Sequence, residues 1–140
     1  MTGLVVLGVA VVVAVGFGLF RRATDGTFAS EPLSPTWGHV NAALPQESLG
    51  ERATLVQFSS AFCAPCRTTR VVLADVAQGE DGVRHLEIDA EQHLDLVRAL
   101  DVRRTPTTLV LDARGHEVAR AAGAPRRGQV LAALPSGVAS

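Results

Sequence analysis

Two cysteines stand three positions apart, as Cys63-Ala64-Pro65-Cys66, where a run of strand-forming residues gives way to a run of helix-forming ones. A thiol pair at this spacing, at the start of a helix, can close and reopen a disulfide within itself, so electron transfer between thiols is the leading reading. The flanks restrict the fold as well. Ala53 to Ser59 is apolar and β-branched, as a buried strand is, and Ala64 to Gln78 reads as a helix ended near Gly79. The two cysteines are the only ones in 140 residues. A small secreted scaffold stapled by disulfides carries more pairs, so this pair is read as used in chemistry rather than as a staple.

The downstream pattern extends the strand and helix into an α/β fold. Val83 to Asp89 alternates like a second strand, with Val83, Leu86 and Ile88 as its apolar members. Glu91 to Leu100 carries Leu94, Val97 and Leu100 at helical spacing, which predicts an amphipathic helix with those residues on its apolar face. Thr107 to Asp112 and Glu117 to Ala122 flank the turn Ala113-Arg114-Gly115-His116 and predict a hairpin, and Gln129 to Leu134 predicts a last helix. A βαβ unit followed by a hairpin and a helix gives a mixed sheet covered on both faces.

Ahead of this lies a different kind of sequence. Gly3 to Phe20 carries no charge and is followed at once by Arg21 and Arg22. Eighteen residues at ~1.5 Å rise span roughly 27 Å, enough to cross a hydrocarbon core. The segment is apolar all round, unlike a core helix. Met1-Thr2-Gly3 has no basic side chain and Phe17 to Arg21 offers no small-x-small site, unlike a cleaved signal. The expectation is an uncleaved anchor contacting membrane lipid. Arginines on its C-terminal side predict that the folded part faces the cytoplasm, an exterior placement being the alternative. Pro32, Pro35 and Pro45 mark a tether before the domain, with Trp37 and Val40 as anchors in its later part and a short helix within Gly38 to Leu49. The expected boundaries are 3–20 for the anchor, 21–50 for the tether and 51–140 for the domain.

The thiol chemistry follows from position. Cys63 sits at the helix start, where unsatisfied N–H groups and the positive end of the helix dipole stabilise a thiolate, so it is the expected nucleophile. Pro65 falls in the first turn, where a missing N–H costs little. Cys66, one turn further in, is the expected resolving thiol. Arg67 after the second cysteine excludes covalent haem attachment, which requires histidine there. Structural zinc would need two further ligands, and His39, His85, His93 and His116 show no pairing spacing, so no metal and no cofactor are expected. A net charge of −1 without like-charge blocks gives no footprint for nucleic acid.

Leu55-Val56-Gln57-Phe58 running into Phe62-Cys63-Ala64-Pro65-Cys66, and then Thr105-Pro106-Thr107, resembles the thioredoxin family over roughly Ala53 to Leu134. The resemblance implies a thioredoxin-like fold, a mixed central sheet with helices on both faces, which in this chain follows the one expected transmembrane helix. It implies a cis Pro106 lying against the disulfide, a substrate-docking role for Phe62, Thr105 and Gly123, and protein thiols or disulfides as substrates. A thioredoxin reductase or another thiol donor would supply electrons. Ala64, Pro65 and Gln57 depart from or tune the family pattern. Gln57 occupies the position of a buried acid that assists proton transfer at the second cysteine; an amide bonds there without taking up the proton. Phe62 stands where tryptophan is common, Ser59 replaces an aromatic, and the usual Gly-Pro is Ala-Pro. The full first strand and helix of longer members are not legible.

Asp89 is expected to cap the helix beginning at Glu91. Arg103 and Arg104 read as a solvated loop face or as steering charges for acidic partners. Three functions remain open at this point: a membrane-anchored thiol-disulfide oxidoreductase working through Cys63 and Cys66, a non-catalytic binding module of the same fold, and a redox-sensing membrane subunit.

Overall fold

The computed structural model describes residues 1–137, with backbone alone over 30–34. In chain order the elements are α1 (Thr2–Thr24), β1 (Ala29–Pro35), α2 (Trp37–Ala43), β2 (Ala53–Ser59), α3 (Ala64–Gly79), β3 (Val83–Asp89), α4 (Leu94–Ala99), β4 (Thr107–Asp112), β5 (His116–Ala122) and α5 (Arg127–Ala133). The five strands form one sheet in the order β1-β5-β4-β2-β3. Only β2 and β3 are parallel, as expected for strands joined by a helical crossover.

The alternation of side chains along β2 divides the core in two. Val56 and Phe58 point to one face, where they pack with Ile88, Leu109 and Leu111, with Val40 of α2 and with Leu96 and Leu100 around α4. Ala53 and Leu55 point to the other, where Leu73 and Val76 of α3 and Val130 of α5 cover them. Every residue of β2 is buried, because the strand has neighbours on both edges and helices on both faces. The sheet is thus the mixed, doubly covered one that the sequence implies.

The region expected as a tether is largely built into the domain. β1 pairs antiparallel with β5, Ala29 opposite Arg120 and Pro35 opposite His116, with the register shifting between Ser30 and Ser34. An edge strand needs partners on one side only, so it tolerates Pro32 and Pro35 where a central strand would not. α2 then carries Val40, fully buried, into the core, and the Trp37 N–H bonds the Gly115 carbonyl at 3.0 Å. Gly115 has φ +83 in the β4–β5 turn, and a Cβ there would run into Trp37. The strand and helix that were not legible in the sequence are supplied by these residues.

Two further expectations are corrected. The helix predicted over Glu91 to Leu100 is confined to Leu94–Ala99; Val97 and Leu100 pack on the core as predicted, but Leu96 is buried there in place of Leu94, which is 52% exposed. Asp89 caps no helix: its Oδ1 accepts the Glu91 N–H at 2.8 Å, closing a turn between β3 and α4.

A buried ion pair within β5 joins Thr36, the residue after edge strand β1, to the loop before β4. Glu117, 2% exposed, receives Arg120 Nε and Nη2 at 2.6 and 2.9 Å and the Thr36 hydroxyl at 3.2 Å, while Arg120 Nη1 donates to the Leu100 carbonyl at 2.8 Å.

Candidate functional site

β2 ends at Ser59 and α3 begins at Ala64, and the cysteine pair occupies that junction. Cys63 is the N-cap residue, in extended conformation, and its Sγ accepts the Cys66 N–H at 3.2 Å. The sulfur therefore sits among the unpaired N–H groups that open a helix, where a thiolate is favoured. Cys63 and Cys66 are joined as a disulfide, with Cα atoms 5.2 Å apart. Their environments differ. Cys63 is partly exposed, and Cys66 is 1% exposed beneath the first turn. Pro65 lies in that turn, exposed, and its carbonyl accepts the buried Thr69 hydroxyl at 2.9 Å.

Behind Cys66 lies Gln57, fully buried on the face of β2 that α3 covers. Its Nε2 donates to the Cys66 carbonyl at 2.9 Å and to Ser59 Oγ at 2.8 Å, and its Oε1 is 3.0 Å from His85 Nε2. The amide therefore uses both its donating and its accepting ends. The parallel register sets His85 opposite Leu55 and Glu87 opposite Gln57, so all four share a face. Burial holds the His85 imidazole below its ordinary range, reinforced by the Arg70 charge and opposed by Glu87. Glu87 is itself held low by the bidentate bond from Arg70, at 2.6 and 2.8 Å. Sequence alone gives His85 no role; the pairing of β3 with β2 brings it to Gln57, and no local pattern announces that register.

On the solvent side, Pro65, Thr105, Pro106 and Gly123 line one groove, joined there by Arg104, Ala124 and Arg126 and by Gly18, Arg21, Arg22 and Asp25 from the end of α1. The Thr105–Pro106 peptide is cis and Pro106 is buried. Gly123, at φ +96, donates its N–H to the Pro106 carbonyl at 2.8 Å. Four of the residues singled out by sequence are thus brought together. Phe62 is not among those lining the groove and is 99% exposed. Among the described residues no three His, Cys, Asp or Glu side chains gather as a metal site.

The thioredoxin family model matches residues 39–135. The chain belongs to the thioredoxin family. Thioredoxin H4-1 of Oryza sativa subsp. japonica is 31% identical over 100 residues, covering 70% of this chain and 73% of that one. Thioredoxin H2 of Arabidopsis thaliana is 31% identical over 118 residues, covering 79% and 85%. Among solved structures, a mutant thioredoxin from Halobacterium salinarum NRC-1 superposes with a TM-score of 0.55 at 21% identity, covering 60% of this chain and 73% of that one. A reduced Schistosoma mansoni thioredoxin gives 0.54 at 20%, covering 68% and 86%. With its Cys-x-x-Cys pair at the strand–helix junction, this thioredoxin-family member is a thiol-disulfide oxidoreductase.

Proposed function

We propose that the protein exchanges its Cys63–Cys66 disulfide or dithiol with protein substrates while anchored in a membrane by residues 3–20. The observation that carries the catalytic part is the asymmetry of the pair: Cys63 caps the helix and meets solvent, and Cys66 is buried against Gln57. In the reducing direction the Cys63 thiolate attacks one sulfur of a substrate disulfide, forming a mixed disulfide and releasing the other sulfur as thiolate. Cys66, losing its proton, attacks Cys63 Sγ; the intramolecular disulfide forms, and the substrate leaves with two thiols after taking up protons. Two electrons pass to the substrate. A thioredoxin reductase or a small-thiol donor restores the dithiol.

Ala64, Pro65 and Gln57 set the poise of the pair, the first two by shaping the turn between the sulfurs and Gln57 by fixing the Cys66 carbonyl. Substrates dock as extended segments along Thr105, Pro106 and Gly123, with the exposed Phe62, beside Cys63 in the chain, as a further apolar contact. The Thr105 N–H and C=O make no hydrogen bond among the described residues, leaving both for an incoming strand. The anchor rests on α1, a 23-residue apolar helix with no buried residue, and the cytoplasmic orientation on Arg21 and Arg22 at its C-terminal end.

The full chain expressed in cells tests anchoring and orientation together. It is expected to stay with membranes through alkaline carbonate, and Cys63, after mild reduction, is expected to react with an impermeant thiol reagent only once cells are lysed. Release by carbonate overturns the anchor; labelling of intact cells overturns the orientation.

A further inference from the structure

The end of α1 is fastened to the docking groove rather than held away from it. Only Asp25 to Phe28 separate α1 from β1. Within that spacer the Gly26 N–H bonds the Ala122 carbonyl at 2.9 Å. Gly26 has φ +74 and lies so close to the Ala124 carbonyl that no Cβ fits between them. Arg104 Nη2 donates both to Asp25 Oδ1 and to the Ala122 carbonyl, each at 2.9 Å. Arg104 directly precedes the Thr105–Pro106 peptide. The first residue beyond the helix is therefore bonded to the loop that forms the groove, and Gly18, Arg21 and Arg22 make one of its walls.

This attachment sets a height. Asp25 lies five residues past Phe20, about 7 Å along a helix. The headgroup layer on each side of the hydrocarbon is roughly 5–8 Å thick. The groove thus runs from Gly18, at the edge of the apolar span, up to Asp25 at headgroup level, and the bonds on Asp25 and Gly26 leave no slack in the spacer to raise it. Its charge is one-sided. Asp25 and Arg104 neutralise each other, whereas Arg21, Arg22 and Arg126 form no ion pair among the described residues.

We propose that the substrates of this groove are disulfides carried by extended, acid-flanked segments of other membrane proteins, lying at the bilayer surface beside their own membrane spans. This rests on the anchored-oxidoreductase reading and narrows its substrate class. An extended segment at that height passes between the end of α1 and the start of α3, pairs with the Thr105 backbone and meets the three arginines. A disulfide far above the bilayer meets a groove whose membrane-side wall is α1 itself.

The test uses the full, reduced chain in phosphatidylcholine vesicles with a transmembrane peptide bearing a disulfide-linked fluorophore and quencher. The disulfide is placed either directly beyond the apolar span or after about thirty Gly/Ser residues, roughly 30 Å of root-mean-square reach. The near disulfide is expected to be reduced at least ~10-fold faster, an effective-concentration effect of fixed geometry. Inserting about twenty Gly/Ser residues between Thr24 and Asp25, which frees the domain at a reach of roughly 25 Å, is expected to bring that ratio close to one. Equal rates in the uninserted chain, or a ratio indifferent to the insertion, overturn the height restriction. Acidic flanks on the peptide are expected to outpace lysine flanks; no flank effect, together with tighter vesicle binding when phosphatidylglycerol replaces phosphatidylcholine, assigns the arginines to lipid and overturns the acidic-segment part. Co-flotation with vesicles and reduction of a small soluble aromatic disulfide report separately on the anchor and on the thiol chemistry, so failure of the underlying reading is distinguishable.

Discussion

Gln57 Nε2 donates to the carbonyl oxygen of Cys66 at 2.9 Å from a fully buried position, so an amide stands behind the inner cysteine and is satisfied there by three partners. A carboxylate at this place would carry charge into the core; the amide fixes the backbone of Cys66 without titrating.

Removing that amide should therefore be strongly felt. Gln57→Ala leaves the buried Ser59 hydroxyl and Cys66 carbonyl short of a partner, and the expected loss is about 1–3 kcal/mol in urea denaturation of the oxidised protein. Gln57→Glu should instead add a titration to the pH profile of disulfide opening by a small thiol. An unchanged profile would show that this position does not influence the pair.

His85 and Glu87 are among the groups that make stability fall as pH falls. His85 is held below its ordinary 6.5 chiefly by burial. As pH drops the unfolded chain takes up that proton first, so its contribution is complete above 6.5 and is lost as pH falls through the lower folded-state value. Glu87 is held below its ordinary 4.5 chiefly by the bond from Arg70, and its contribution, complete above 4.5, is lost below it by the same sign. Denaturation over a pH series should show decline beginning near the first value and steepening below the second. His85→Gln should remove the upper part and Glu87→Gln should reduce the lower.

The Glu117–Arg120 pair predicts a non-additive result. With Glu117 2% exposed, Arg120→Met strands a buried carboxylate and should cost about 3–5 kcal/mol, while pairing that change with Glu117→Leu should restore much of the loss. Additive losses in a double-mutant cycle would show that the pair is not coupled.

Gly26→Ala forces a side chain into a left-handed residue packed against Ala124. The expected destabilisation of the domain is about 1–3 kcal/mol, read by denaturant melting in detergent. No change would mean that the helix end is not fastened to the groove.

The central strands were legible because their residues speak for both faces. β2, β3 and β4 have the predicted bounds, since continuous burial along β2 and nearly all of β4, and the Leu86–Ile88 alternation in β3, leave one register for the apolar residues. β1 was not legible: it pairs along one edge only, carries two prolines, and owes its conformation to β5 rather than to its own propensity. α4 was misread at its start, where Leu94 is exposed and Leu96 takes the core position, because six residues give too few apolar positions to fix every member of a helical face. At the site, the cysteine pair and Thr105-Pro106 announced themselves by motif. The Gln57–His85 contact and the closure of Asp25 on Arg104 join residues 28 and 79 positions apart, and no local pattern encodes them.

The central claim is that Cys63 attacks protein disulfides and Cys66 resolves the intermediate. Cells expressing the full chain as Cys66→Ser, quenched with acid and alkylated, measure this most directly. The account predicts reductant-sensitive covalent complexes on Cys63, absent from Cys63→Ser and from the double variant. Complexes formed by Cys63→Ser in place of Cys66→Ser, or by neither, would contradict it.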